Sequence, residues 1–158
     1  MLFRSQTEAF APEQLLATFA GGGDAGAMAS FVGYCRASSH GRTVERLELE
    51  CYPALTQREI ARLAETVLQR HALLDLMVVH RVGEIQVGEA IVLVAALSAH
   101  RAPALTAVAE LMDYLKSEAP IWKKEVGACG PRWIDPTEQD YREAGRWRQK
   151  HGDVPHES

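Results

Sequence analysis

The stretch TVERLELECY, residues 43–52, decides the fold class, because its apolar and polar side chains alternate along the chain. Leu47 and Leu49 fall on one face of an extended segment, and Glu48 and Glu50 fall on the other. A period of two residues is typical of a half-buried antiparallel strand, whereas strands of a parallel sheet are apolar on both faces. We therefore predict an α+β fold with a mainly antiparallel sheet.

Further strands are predicted on both sides of this segment. Runs of apolar and branched residues indicate strands in 2–6, 26–36, 74–83, 83–99 (with a turn around Gly88) and 121–126. The strands alternate with helices, but the strand in 43–52 has the half-buried pattern of an antiparallel sheet. We therefore interpret the fold as α+β.

Two main helices are predicted from apolar residues at helical spacing. The first opens with a capping box formed by Thr56 and Glu59 and continues to about His71. The second runs from about Pro103 to Lys116. Both carry an apolar stripe wide enough to pack on a sheet.

One domain is predicted over residues 1–136, because a chain of 158 residues suits one hydrophobic core. It includes a short helix over 12–20 and a mobile polar loop at 37–42. The polar segment 137–158 is predicted to be a flexible tail. The stretch GGGDAG at 21–26 lacks the GK[ST] ending of a phosphate-binding loop, which favours a flexible turn.

Composition excludes several classes of protein. The net charge of −4 argues against a general nucleic-acid-binding protein, which needs a broad basic face. The longest apolar run, residues 90–99, has about half the length of a membrane span, and the N-terminus lacks the pattern of a secretory signal. We therefore expect a cytoplasmic protein. The three cysteines are widely spaced and the histidines form no paired motif, so neither a disulfide framework nor a metal site is predicted.

The segment DYLKSEAPIWKKE, residues 113–125, holds three of the four lysines in a chain with thirteen arginines. Lysine differs from arginine in its compact ammonium and in a pKa that burial lowers, which suits proton transfer or a bond to a carbonyl group. Pro120 ends the helix and favours an extended segment after it. Lys123 and Lys124 then point to opposite faces, so we expect one of them in a pocket, with Trp122 supplying apolar surroundings.

Other cations lie where predicted elements end. Arg36 closes the strand 26–36, and His100 and Arg101 precede the second main helix. The free amides and positive dipole end of a helix favour an anion, so His100 and Arg101 indicate a candidate phosphate site. The residues alone leave open the alternative that Arg101 is a solvated loop residue and His100 a packed imidazole.

Four stretches together resemble the large, catalytic subunit of molybdopterin synthase. They are FVGYCR at 31–36, LECYPALT at 49–56, HRVGEIQVGEAIVLVAALSAHR at 80–101 and MDYLKSEAPIWKKE at 112–125. The resemblance extends from about residue 25 to Asp135, and the combination of SAHR, DYLK and PIWKKE is highly specific. It implies an α+β fold of the α/β hammerhead type.

The resemblance implies a sulfur-transfer enzyme of molybdenum cofactor biosynthesis. Its substrate would be cyclic pyranopterin monophosphate, which receives two sulfurs to form the dithiolene of molybdopterin. The sulfur would come from a thiocarboxylate on the C-terminal Gly-Gly of a small ubiquitin-like partner subunit. The large subunit would form a homodimer within a heterotetramer, and neither a resident cofactor nor a metal ion is implied.

The resemblance also assigns residues to the site. The catalytic lysines of the family correspond to Lys116 in DYLK and Lys123 in IWKK. The contacts with the substrate anion correspond to Arg36 in GYCR and to His100 and Arg101 in SAHR. Four further residues correspond to stretches that line the same pocket: Tyr34, Cys35, Lys124 and Glu125. Because the partner supplies the sulfur, Cys35 is interpreted as structural or pocket-lining rather than as a sulfur carrier.

The sequence departs from the family pattern after Arg36, where ASSHGR at 37–42 replaces an acidic or amide residue and further polar side chains. His40 and Arg42 are candidate substitutes for the ligand contacts of that loop. A late arginine that relatives bring from the neighbouring subunit has three candidates here: Arg132, Arg142 and Arg146.

Two other functions remain as alternatives. The first is a dimeric scaffold that binds a ubiquitin-like partner without chemistry, which the presence of both lysines and the His-Arg pair disfavours. The second is a lyase that forms a Schiff base through a lysine, which the missing phosphate loop disfavours.

Overall fold

The computed structural model describes residues 1–19 and 22–152. The helices are α1 (Pro12–Thr18), α2 (Pro53–Arg70), α3 (Arg101–Ser117) and α4 (Glu138–His151). The strands are β1 (Leu2–Gln6), β2 (Ala27–Tyr34), β3 (Ser38–Ser39), β4 (Arg42–Thr43), β5 (Arg46–Cys51), β6 (Asp75–Arg81), β7 (Gly83–Gln86), β8 (Ala90–Ser98), β9 (Ile121–Val126) and β10 (Arg132–Ile134). Within these ranges, no helix combines the length and apolar character needed to cross a bilayer.

The first sheet has the strand order β1-β6-β8-β2 and forms the centre of the molecule. Strands β6, β8 and β2 pair antiparallel, and β1 pairs parallel to β6 at the edge. Helices α2 and α3 bury one face of this sheet, and Phe10, Leu15, Leu16 and Phe19, in and around α1, pack on the other. Because both faces are covered, β8 is buried along most of its length.

The second sheet has the order β10-β9-β5-β7 and is antiparallel throughout. Leu47 and Leu49 of β5 are buried on its inner face, together with Ile85 of β7. Glu48 and Glu50 lie on its outer face, as the alternation in this strand predicts. The α+β fold with mainly antiparallel sheets is therefore confirmed.

The predicted capping box of the first main helix is wrong. Helix α2 begins at Pro53, three residues before Thr56, and Tyr52 is its N-cap residue. Proline is favoured in the first turn because its missing N–H needs no partner there. Thr56 is instead buried inside the helix, and its Oγ1 donates a hydrogen bond to the carbonyl oxygen of Pro120 at 3.0 Å.

The loop at 37–42, predicted to be mobile, contains a two-stranded hairpin of β3 and β4. His40 and Gly41 form its turn with φ angles of 50° and 74°. Two consecutive residues with positive φ are characteristic of a type I′ turn, whose twist matches that of the flanking strands. Local pairing orders this segment, and Ser39 is buried in it.

The segment after 137, predicted to be a flexible tail, forms helix α4 over residues 138–151. Thr137 and Asp140 form a capping box at its start, and Gly152 ends it in the left-handed conformation. Ala144 is buried and Trp147 packs on the main core. The prediction failed because the helix has a polar composition and depends on this packing; residues 153–158 of the predicted tail lie outside the described residues.

Candidate active site

A small open depression of about 250 Å³ lies where the two sheets meet. It is lined by the polar residues Tyr34, Arg36, Ser39, Lys123 and Glu125 and by the apolar residues Val44, Leu47 and Ile91. Tyr34, Arg36, Lys123 and Glu125 were assigned to the site from the sequence, and the structure brings these four together.

The backbone at the end of β2 directs Arg36 to this depression. The register between β2 and β8 shifts between Gly33 and Tyr34, where the regular ladder ends. The chain is then held by two hydrogen bonds of Cys35, whose N–H donates to Glu89 O at 3.0 Å and whose carbonyl accepts from Gly88 N at 2.8 Å. Arg36 therefore follows a fixed backbone although its side chain is exposed.

Lys123 occupies the inner face of β9, opposite Leu49 of β5 and Ile134 of β10. Burial lowers the pKa of its ammonium group, and the charges of Arg36 and Lys116 lower it further. The carboxylate of Glu125 acts in the opposite direction. A lysine with a lowered pKa exchanges protons more readily near neutrality, which suits acid–base or nucleophilic chemistry.

Lys116 lies in the last turn of α3 and is not among the residues that line the depression. Its charge makes a small contribution to the lowered pKa of Lys123. The side chain is 61% exposed, and its Nζ lies 3.3 Å from Oδ1 of Asp140 in α4. Asp113, three residues before Lys116, accepts a hydrogen bond at Oδ2 from Trp147 Nε1 at 2.8 Å.

Glu125 is the buried anion of this otherwise cationic site. Burial would raise the pKa of its carboxyl group, but hydrogen bonds from Ser39 and Arg132 outweigh that effect and lower it. The Arg132 Nη2 to Glu125 Oε2 distance is 3.0 Å. The carboxylate therefore links β9 to β10 through Arg132, and it partly balances the charge of Lys123. Arg132, one of the late-arginine candidates, is thereby occupied at this site.

Cys35 packs beside the depression, with 2% of its surface exposed, in a cluster with Val44, Leu47 and Ile85. Burial raises the pKa of its thiol, an effect that the nearby Lys123 only partly opposes. A buried, protonated thiol is a poor nucleophile, so these surroundings support the interpretation of Cys35 as structural.

His100 and Arg101 do not join this cluster within one chain. They lie at the N-terminal end of α3, whereas Lys116 lies at its C-terminal end, about 22 Å away for a helix rising 1.5 Å per residue. The antiparallel pairing of β2 with β8 also puts Arg36 and His100 at opposite ends of the first sheet. Within one chain, His100 and Arg101 therefore do not lie beside Arg36 and Lys116.

Two residues of β9 point away from the depression. Lys124 Nζ lies 2.5 Å from Glu48 Oε2 and 5.3 Å from the ring centre of Trp133, on the outer face of the second sheet. Lys124 therefore does not line this depression, and the prediction that Lys123 and Lys124 face opposite ways is confirmed. Trp122 also lies on the outer face, 45% exposed, and cannot supply the apolar surroundings of Lys123.

Four residues that line the depression were not predicted as part of the site: Ser39, Val44, Leu47 and Ile91. They come from separate strands and the segments between them, and no local pattern signals that these meet. The structural role of Asp140 could have been predicted from the sequence. The stretch TEQD at 137–140 places an acidic residue three positions after a threonine, which is typical of a capping box.

Comparison with known proteins identifies relatives over most of the chain. The family model described as MoaE protein matches residues 5–118. The molybdopterin synthase catalytic subunit of Caulobacter vibrioides is 47% identical over 95% of this chain and 99% of its own length. The structure of the molybdopterin biosynthesis MoaE protein from Burkholderia ambifaria MC40-6 has a TM-score of 0.76 and 37% identity, covering 92% of this chain and 96% of that one.

A more distant structure is the complex of subunits 1 and 2 of molybdopterin-converting factor from Helicobacter pylori 26695. Its TM-score is 0.69 at 21% identity, with 87% of this chain and 91% of that chain covered. At this level of identity, the likeness shows the shared fold.

Proposed function

The chain belongs to the MoaE family of molybdopterin synthase catalytic subunits, and we propose which of its residues carry out the sulfur transfer. The enzyme is a sulfurtransferase of molybdenum cofactor biosynthesis. The observation that carries the assignment of residues is that Arg36 and Lys123 line one depression. Burial lowers the pKa of Lys123, and the charges of Arg36 and Lys116 lower it further.

In the proposed reaction, a small ubiquitin-like subunit inserts its C-terminal thiocarboxylate toward Lys116 and Lys123. The substrate, cyclic pyranopterin monophosphate, brings a phosphate, so both reactants are anionic. Arg36 and Lys123 at the depression, together with the positive charge of Lys116, lower the electrostatic cost of placing two anions side by side. A small partner subunit agrees with the two-subunit complex of the Helicobacter pylori protein.

The residues have different roles in this proposal. Arg36 binds an anionic oxygen, because its planar guanidinium donates two parallel hydrogen bonds. Lys123 transfers protons, because its lowered pKa makes both protonation states accessible. Lys116 neutralises charge that develops on the acyl–sulfur intermediate. A covalent adduct between a lysine and the terminal glycine of the partner is compatible with this arrangement but not required by it.

We propose that a second copy of the chain supplies His100 and Arg101. The length of α3 keeps these residues away from Lys116 in the same chain, although the family resemblance assigns both ends to one substrate. Strand β2 is an edge of the first sheet and exposes Met28 and Phe31 by 48% and 42%. An exposed apolar edge strand is a favourable surface for pairing between copies, which supports a homodimer carrying one small subunit at each end.

The proposed setting is the cytoplasm. The cysteines Cys35, Cys51 and Cys129 are all free, which agrees with a reducing compartment.

The test is reconstitution of the protein with a thiocarboxylated small subunit and cyclic pyranopterin monophosphate, followed by an assay for molybdopterin. Lys123→Ala and Lys116→Ala should each lose about a hundredfold or more in rate, as expected for removal of a group that stabilises developing charge. Lys124→Ala is the matched control, because it removes a lysine from the same strand on the opposite face. It should keep its activity.

Three outcomes would contradict the proposal. Absence of product with the unaltered chain, under conditions in which a known catalytic subunit works, would overturn the assigned activity and favour the scaffold alternative. Full activity of Lys116→Ala or Lys123→Ala would overturn the role of that lysine. A loss in Lys124→Ala equal to that in Lys123→Ala would show that the outer face takes part.

A further inference from the structure

Asp140 contacts Lys116 from a helix that lies beyond the residues matched by the family model. That match ends at residue 118, and α4 begins at Glu138. We propose that Asp140 is a positioning residue for Lys116, so that α4 is a working part of the active site. This inference rests on the proposed catalytic role of Lys116.

The two oxygens of the Asp140 carboxylate have separate partners. Oδ2 accepts hydrogen bonds from the N–H and the hydroxyl of Thr137, both at 2.8 Å, and Thr137 Oγ1 accepts one from Asp140 N at 3.2 Å. This reciprocal arrangement fixes the side chain at the first turn of α4. Oδ1 is then directed toward Lys116 Nζ, at 3.3 Å.

Asp140 can orient Lys116 only if α4 is itself held in place. Trp147 Nε1 donates to Asp113 Oδ2 at 2.8 Å, one turn before Lys116 on α3. Arg148 forms an ion pair with Glu118 just after the end of α3. These contacts attach α4 to the C-terminal end of α3, so the carboxylate and the lysine belong to one rigid unit.

Lys116 needs such a partner because its side chain is largely exposed and has four rotatable bonds. An exposed ion pair contributes little to stability, but it reduces the number of orientations that the side chain samples. Burial would raise the pKa of Asp140, but hydrogen bonds from Thr137 and Lys116 outweigh that effect and lower it. The carboxylate therefore stays ionised at neutral pH and restrains the ammonium group of Lys116 at the end of α3.

The test measures kcat and KM of the reconstituted enzyme with Asp140→Asn, Asp140→Glu and Glu138→Gln. Asp140→Asn removes the charge and should lower kcat by about tenfold, with KM for the pyranopterin unchanged, because orientation at the reacting atoms is lost rather than binding. Asp140→Glu keeps the charge and should restore most of kcat. Glu138→Gln removes an exposed carboxylate from the same helical turn and should leave both constants unchanged.

A second measurement separates positioning from support of the fold. Combined with Lys116→Ala, Asp140→Asn should cause no further loss, because the group that it positions is absent. Circular dichroism and thermal unfolding should show that α4 is retained in Asp140→Asn. Unchanged kcat in Asp140→Asn would overturn the inference, as would equal losses in Asp140→Asn and Glu138→Gln or an additive loss in the double variant.

The activities of Lys116→Ala and Asp140→Asn distinguish a failure of this inference from a failure of the proposed function. An inactive Lys116→Ala with a fully active Asp140→Asn would reject only the role of Asp140. An active Lys116→Ala would reject the catalytic role of the lysine, and the role of Asp140 with it.

Discussion

The two ends of α3 differ in their surroundings, although the family resemblance assigns residues at both ends to one substrate. At the C-terminal end, Lys116 contacts Asp140, and its charge adds to the lowered pKa of Lys123, which lines the depression of the same chain. At the N-terminal end, His100 and Arg101 are exposed, and His100 has an extended backbone and no side-chain cap. Because a helix is rigid, about 22 Å of separation cannot be closed by side-chain motion. The proposed site, with residues from both ends of α3, therefore draws on two chains.

The largest effect is expected when the two ends of α3 are inactivated in different chains. A chain with His100→Ala and Arg101→Ala, and a chain with Lys116→Ala and Lys123→Ala, should each lose about a hundredfold or more in the rate of molybdopterin formation. After mixing under conditions that exchange subunits, activity should recover to about one quarter of wild type, because half of the dimers are mixed and each has one complete site.

The control for this experiment is the isolated mixed dimer, purified with two affinity tags. It should have about half the activity of the unaltered dimer. If a verified mixed dimer recovers no activity, the two ends of α3 do not act together across the interface.

The middle of α3 should affect stability rather than chemistry. Glu110 is fully buried, forms an ion pair with Arg70, and its Oε2 lies 2.6 Å from His71 Nε2, which clamps α3 to α2. Glu110→Ala removes the carboxylate that balances these groups and should lower the free energy of unfolding by about 3–5 kcal/mol. Urea denaturation measures this loss.

Two variants show whether charge burial is the cause. Arg70→Met combined with Glu110→Met should recover a large part of the stability, because apolar side chains replace both charges. Glu65→Ala, at an exposed carboxylate of α2, should change stability by no more than about 0.5 kcal/mol. A loss of similar size in Glu65→Ala would contradict the clamp.

The attachment of α4 at the lysine end should have a smaller effect. Trp147→Phe keeps most of the aromatic packing but removes the N–H that donates to Asp113. The expected loss is about 1 kcal/mol in the free energy of unfolding, the usual value for one hydrogen bond. Hydrogen exchange should increase in α4 before it increases in α3, and uniform protection in the variant would contradict the role of this contact.

The smallest predicted effect is the contribution of Lys123 to the pH dependence of the free energy of unfolding. Because burial lowers its pKa below the ordinary value of 10.5, the unfolded chain binds the proton more tightly than the folded one. Stability from this group should therefore rise as the pH increases from the lowered pKa toward 10.5. Lys123→Met should flatten that rise in urea denaturation between neutral pH and about pH 10. An unchanged slope would indicate that Lys123 is not desolvated.

Much of the fold could be predicted because it depends on neighbouring residues. The alternation of Leu47 and Leu49 with Glu48 and Glu50 predicted the two faces of β5, and the structure confirms them. Helix α4 was missed because its stability comes from Ala144 and Trp147 packing on α3 rather than from an apolar stripe. Its capping residues were nevertheless visible in the sequence.

The candidate site could be predicted only in part. Arg36 and Lys123 were identified from charge at the ends of elements and from the resemblance, and the structure places both at the depression. The separation of His100 from Lys116 follows from the length of the predicted helix. The sequence alone therefore indicates that these two residues do not lie side by side in one chain.

Three features follow from the sequence alone: the mainly antiparallel pairing, the end of α3 before Pro120 and the opposite orientation of Lys123 and Lys124. Each of these depends on periodicity or on backbone sterics within a few residues. The contact of Asp140 with Lys116 and the ion pair of Glu125 with Arg132 follow from the tertiary fold instead. These contacts join elements that are distant along the chain, and their geometry is set by how the sheets and helices pack.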